Sequence, residues 1–297
     1  MLKNFSQYWL LIVLSFVVLA AESRAECALD EPQCVAENQW QLGIAIGIGV
    51  KQNPLQDGDN IPLVLLPDIA WYGESAYFDN GELGYQLYND NNFAMETFVS
   101  INDERAYFSF WHPTNILFSQ FQLSNSIAPE NGGDFGSELD ATDKISVSIK
   151  DIGKRKWALD AGLRVHYWQG DNQWQVSLKQ DVSSVHKGMQ ASLSYLYHWQ
   201  SGSWSMSLKP QLQWKSSKLL DYYYGLDATD NVDIKYFYQA TSGWFSTLTL
   251  LAVKPFAEDW SILFKASATH LADAMSDSPI VNKDNIISAF IGVAHRF

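Results

Sequence analysis

From Trp157 to Trp214 the chain sets large apolar residues at every second position in four consecutive segments. In the first, Trp157, Leu159, Ala161, Leu163, Val165 and Tyr167 alternate with Lys156, Asp160, Arg164 and His166. The second alternates Trp174, Val176 and Leu178 with Gln173, Gln175, Ser177 and Lys179; the third alternates Leu193, Tyr195 and Tyr197 with Ser192, Ser194 and His198. The fourth sets Trp204, Met206, Leu208 and Leu212 against Ser205, Ser207, Lys209 and Gln211. Side chains alternate faces along a strand, so each segment carries one apolar and one polar face. A soluble sheet shows the same alternation. Segments of about ten residues or more, with aromatics at the ends of the apolar rows, instead match tilted strands crossing a bilayer between aromatic girdles.

The alternation extends through most of the chain. Trp40 to Val50 reads as strand one, with Gly43, Gly47 and Gly49 leaving room inside a barrel. Strand two is read at Ile61 to Trp71, and strand three at Ala76 to Tyr88 with a bend or bulge at Asp79-Asn80-Gly81. Strands four and five follow at Phe93 to Ile101 and Arg105 to Trp111. Residues 112–154 read as a long exposed loop, although Ile145, Val147 and Ile149 alternate as if extending strand six. The four segments above are strands six to nine. Tyr236 to Val253, Trp260 to His270 and Ile286 to Phe297 complete the set. The expected fold is all-β: an antiparallel transmembrane β-barrel of about twelve strands, outer-membrane type. An even count puts both termini in the periplasm and the longer loops outside, at 51–60, 89–92, 112–154, 183–188, 215–235 and 271–285.

Composition agrees with this picture. Of 297 residues, 47% are hydrophobic, yet alternation holds the mean hydropathy at -0.15. Twelve tryptophans are usual for such a barrel. The net charge of -13 disfavours nucleic acid, since a phosphate backbone needs a basic patch. Residues 1–25 read as a signal peptide: Lys3, an apolar stretch from Tyr8 to Ala21, and small residues at Ser23 and Ala25. Residues 26–39 then form a periplasmic segment, in which Cys27 and Cys34 are expected to make a disulfide. Glu26 stands where a lipidation site needs a small residue. The barrel occupies 40–297.

Several stretches resemble the MipA/OmpV family of outer-membrane proteins. They are the glycine-spaced strand Leu42 to Val50, the run from Ala76 to Tyr85, Asp181 to Gly188, Asp221 to Gly225, Ala274 to Val281, and the terminus Gly292 to Phe297. His295 stands where the family more usually has Tyr, and Cys27/Cys34 and 112–154 do not align. The terminal Phe resembles the signal that barrel-assembly machinery reads. The resemblance implies a non-enzymatic scaffold that links a periplasmic murein hydrolase, a lytic transglycosylase, to a murein synthase.

Chemistry is sparse. The chain has no G-x-S-x-G, H-E-x-x-H, P-loop or dinucleotide motif. His166 and His198 fall on polar faces near Asp160, Asp181 and many serines, an arrangement that a hydrolase needs. The plainer reading is that Asp160, Arg164, Lys179, Asp181 and Lys209 fill a narrow lumen and satisfy one another. His186 is assigned to an outer turn and Tyr222 to Tyr224 to an outer girdle; the acidic loops at 57–60 and 227–233 lack calcium-loop spacing. No catalytic, cofactor-binding or metal residue is assigned. Outer-membrane lipid and the two murein enzymes are the expected partners, with a small-solute channel, a barrel hydrolase and an adhesin as the alternatives.

Overall fold

A computed structural model describes residues 38–117 and 146–297. Twelve strands form one antiparallel meander: β1 (Gln39–Lys51), β2 (Ile61–Pro62 and Leu65–Tyr72), β3 (Ala76–Asp79), β4 (Glu82–Asn89), β5 (Phe93–Ile101), β6 (Leu159–Gln169), β7 (Asn172–Asp181), β8 (Met189–Ser201), β9 (Trp204–Lys215), β10 (Gly243–Ala257), β11 (Trp260–His270) and β12 (Asn285–Arg296). β12 pairs with β1 from Gly43↔Arg296 to Lys51↔Ser288, so the sheet closes and no edge remains. The two pieces of β2 are one strand. Ile46 pairs with Leu65 but Val50 with Pro62, a one-residue slip that sets three residues of β1, Gly47 to Gly49, opposite Leu63 and Val64 and so places the bulge in β1.

The apolar rows face outward, as their alternation requires. Ile48 is 74% exposed whereas Ala45, on the opposite face, is fully buried. At the short-turn end, Trp40, Tyr88, Tyr167, Tyr197 and Trp260 form an outward aromatic band, the position of a membrane interface. Gly47 has a different task from leaving space in the lumen. A Cβ there would lie 2.1 Å from the carbonyl oxygen of Ile291, so the glycine pair Gly47↔Gly292 lets the closing strands approach. Across β3 and β4, the Tyr77 ring lies over Gly84 and fills the place of its missing side chain.

Two elements differ from the sequence reading, and the differences cancel in the strand count. The expected strand from Ala76 to Tyr88 is a hairpin. Asn80 and Gly81 both adopt positive φ, 48° and 95°, which makes a tight turn rather than a bulge. The expected strand from Arg105 to Trp111 is instead a 3-10 turn, Asp103–Tyr107, followed by the single-turn helix α1 (Pro113–Ile116). Local capping overrides the alternation: the Asn102 side chain accepts from the Glu104 amide, and His112 from the Thr114 amide, with Pro113 opening the helix. The hairpin reverses the direction of β5, so residues 90–92 lie at the short-turn end, with Gln39 and Arg296, rather than among the long outer loops.

The opposite end is closed by its own loops. Helices α2 (Ser217–Tyr224) and α3 (Asp273–Ser276) pack with Leu55, Val147, Leu226 and Ile280 into a buried apolar cluster over the mouth. Val147 and Ile149 belong to this cap and bond to Pro279 and Gln56, so they do not extend β6. Tyr223 and Tyr224 are fully buried within it rather than standing in an outer girdle. The strand expected from Tyr236 begins only at Gly243, because residues 234–242 also serve the cap. Cys27 and Cys34, with their expected disulfide, and the expected signal peptide at 1–25 lie outside the described residues.

Candidate functional site

Inside the barrel, below the cap, lies a polar cavity of about 440 Å³. It runs from Asp103, His112 and Thr114 beneath the cap to Gln41, Tyr72, Gln173 and His198, all within the last four residues of their strands at the short-turn end. Its walls differ in chemistry. Asp68, Asp79 and Glu82 line one side, from β2 to β4. Amides and hydroxyls of β7 to β9, among them Gln175, Ser177, Ser192 and Gln211, line the other, together with Lys209. Alternation explains the wall: these are the polar partners of the lipid-facing rows, and a membrane barrel has no other place for them.

Arg164 on β6 is the main compensating cation of the acidic wall. It binds both Glu82 oxygens at 2.7 Å and Glu96 Oε1 at 2.6 Å, and its guanidinium lies over the Phe98 ring at 4.1 Å. Neither glutamate was singled out from sequence. Glu96 sits in the inward register of β5, and Glu82 is the first residue after the Asn-Gly turn, a place legible only once that turn is recognised. Asp68 and Asp79 are held by neutral donors instead. Asn80 donates to Asp68 at 2.6 Å and to Asp79 at 2.8 Å, and the Tyr72 hydroxyl donates to Asp79 at 3.2 Å.

The 3-10 turn after β5 enters the barrel mouth and is fastened by buried charge. Glu104, 2% exposed, accepts from the Lys215 ammonium at the end of β9 and from the Tyr224 hydroxyl of α2. Asp103 pairs with Lys179 of β7 at 3.1 Å. Asn102 is fully buried and donates to Asp160 of β6 at 2.7 Å. One short segment thus binds three strands and the cap helix. On the far side Arg155 pairs with Asp230 at 2.7 Å and donates to the Gly225 carbonyl, joining the 146–158 segment to the loop after α2. The acids of that loop are engaged in its own folding, since Asp227 also caps the turn at Thr229. Those hydrogen bonds hold the Asp227 carboxyl below its usual pKa.

The residues expected to satisfy one another in the lumen do so only in part. Lys179 reaches Asp160 at 3.9 Å, but Arg164 takes two glutamates and Asp181 turns to backbone. Asp181 accepts from Ser183, from the His186 amide at 2.8 Å and from the Lys187 amide at 2.7 Å, which shapes the turn after β7. His186 Nδ1 accepts from the Gly188 amide, which leaves Nε2 protonated to donate to Asp160 at 3.1 Å. Asp160, Asp181 and His186 come close enough to suggest a metal site. The hydrogen bonds argue otherwise: the one imidazole lone pair is committed to Gly188 and Asp181 is saturated by the turn.

His166 lies between Glu96, at 3.2 Å, and Gln173, at 2.8 Å, and stacks on Trp168. His198 faces the cavity. Among the described residues neither imidazole hydrogen-bonds a serine or threonine hydroxyl.

Known proteins are similar in sequence to this chain over half of its length or more. The "MltA-interacting protein" of Escherichia coli is 24% identical over 264 residues, covering 89% of this chain and 93% of its own length. A putative outer membrane protein of the same species, YiaT, is 22% identical over 261 residues, covering 86% and 91%. Outer membrane protein OmpV of Vibrio cholerae is 25% identical over 150 residues, half of this chain and 58% of its own length. The family model described as "MltA-interacting protein MipA" matches residues 42–297, the span of the closed barrel and its cap, and this outer-membrane chain belongs to that family.

Proposed function

We propose that the protein is a stoppered outer-membrane anchor whose periplasmic face holds a murein hydrolase, a lytic transglycosylase, beside a murein synthase. The observation that carries the reading is the cap. An apolar cluster and the buried Glu104–Lys215–Tyr224 group close the outer mouth, an arrangement suited to a fixed support more than to a conduit. A closed, twelve-stranded wall gives that support a rigid place in the membrane, with five short turns presented to the periplasm. The name of the Escherichia coli relative supplies the class of partner. In the test, folded protein carrying an affinity tag is mixed with a periplasmic extract. Recovery of a lytic transglycosylase with a synthase supports the scaffold, and recovery of neither removes it.

The cavity below the cap favours a second reading, a gated small-solute channel. Planar-bilayer recording separates the two. A silent bilayer fits the anchor; discrete, reproducible conductance steps make transport the leading function.

A further inference from the structure

Besides the paired Arg164–Glu82 and Lys179–Asp103, the cavity holds a second set of opposite charges on opposite walls that form no ion pair with one another. Asp68 on β2 and Asp79 on β3 both line it, and among the described residues neither stands in an ion pair; their hydrogen bonds come from the Asn80 amide and the Tyr72 hydroxyl. Lys209 lines the same cavity from β9, six strands from β3 and therefore diametrically across a ring of twelve. It makes no hydrogen bond or ion pair with any described residue, and the charges that act on it include Arg164, which repels it. Amide and hydroxyl side chains fill the wall around it: Gln175, Ser192, Ser207 and Gln211.

Charges held away from bulk water are costly unless paired, and these are positioned so that they cannot pair with one another. The shape of the deficit defines what would fill it. One end of the ligand must offer a cation with several N–H donors to two carboxylates. The other must offer an anion to an ammonium set among amide donors. The middle must be small and polar enough for about 440 Å³ that the walls enclose.

We propose that the lumen is a binding site for a small zwitterion bearing a free amine and a free carboxylate, an amino acid or short peptide, entering from the periplasmic end. The amine lies between Asp68 and Asp79, and the carboxylate takes Lys209 with the neighbouring amides. This site is independent of whether the periplasmic turns dock murein enzymes, and each property can be lost without the other.

The test uses the refolded barrel in detergent and isothermal titration with the dipeptide Ala-Ala. Two blocked forms, N-acetyl-Ala-Ala and Ala-Ala-amide, each remove one charge. Saturable binding of Ala-Ala is expected, with a dissociation constant of about 1 mM or tighter and a loss of roughly tenfold or more for each blocked form. In the variants the loss follows the missing group. Asp79→Asn weakens Ala-Ala but leaves N-acetyl-Ala-Ala unchanged, and Lys209→Gln weakens Ala-Ala but leaves Ala-Ala-amide unchanged. No saturable binding, equal binding of the blocked forms, or binding of one blocked form as tight as the parent would each overturn the proposal. The peptide series on the unaltered protein decides the matter even where a variant does not fold.

Discussion

Replacing Glu104 by alanine removes the central acceptor of the cap. Lys215, its side chain 9% exposed, is left with a buried ammonium and no carboxylate, a situation that costs about 3–5 kcal/mol in other proteins. The Tyr224 hydroxyl also loses its acceptor, adding about 1 kcal/mol. The ammonium keeps its contact with the Phe245 ring, 4.0 Å away, which is present before and after the change and so offsets nothing. The net weakening is roughly 4–6 kcal/mol, on the order of a 1000-fold or larger rise in the open population of the cap. It falls on the cap and not on the barrel, since the strand ladders are untouched. Hydrogen exchange read by mass spectrometry reports it directly: peptides covering 103–107 and 217–224 should lose protection while the strands keep theirs. The double variant Glu104→Leu, Lys215→Met removes both charges and should recover most of the protection, because an apolar pair of similar volume replaces a buried ion pair at little cost. Unchanged protection in Glu104→Ala, or a double variant that opens further than the single one, would refute the reasoning.

Acid should loosen the same region. His112 lies in the loop outside the strands, stacked on Trp157, with Nδ1 accepting from Thr114 and Nε2 donating to the Asn102 carbonyl; burial holds its pKa below the ordinary 6.5. The opened segment binds the proton first, so stability present above about pH 6.5 falls as pH drops toward the folded value. Proteolysis of segment 103–117 should therefore quicken between neutral pH and about pH 5, and the acceleration should shrink in His112→Asn; a flat profile in the parent protein would count against this. Gly47→Ala forces a Cβ against the Ile291 carbonyl and should cost about 1–3 kcal/mol at the closing seam, seen as a lower urea midpoint and less heat-modifiable barrel on gels. An unchanged midpoint would mean that the seam relaxes. Zinc or chelator should leave the melting temperature unaltered, because the Asp160, Asp181 and His186 atoms are already hydrogen-bonded; a zinc-dependent rise would restore the metal reading.

The wall of this barrel was legible because alternation is a local property. Leu163 and Leu193 face lipid for the same reason that Arg164 and Ser192 face the lumen, and no knowledge of distant residues is needed to say so. The errors came where local chemistry gives two answers. Arg105, Tyr107 and Ser109 alternate as well as any strand, yet Asn102 and His112 cap helical turns at both ends and settle the segment inside the mouth. Asn80-Gly81 permits a bulge or a hairpin, and the choice falls to Tyr77, whose ring needs Gly84 opposite it.

The cap was illegible for a different reason. Its fastening joins Glu104 to Lys215 and Tyr224, residues more than a hundred positions apart, and nothing along the chain marks them as partners. The lumen falls between these cases. Alternation alone places Asp68, Asp79 and Lys209 on the inner face, but only the closed ring sets β3 opposite β9 and shows that acid and base cannot reach each other. What separates a filled lumen from a binding site is therefore not which residues point inward. It is whether the strand order brings opposite charges together, as it does for Arg164 with Glu82 and Glu96, or holds them apart, as it does for Lys209.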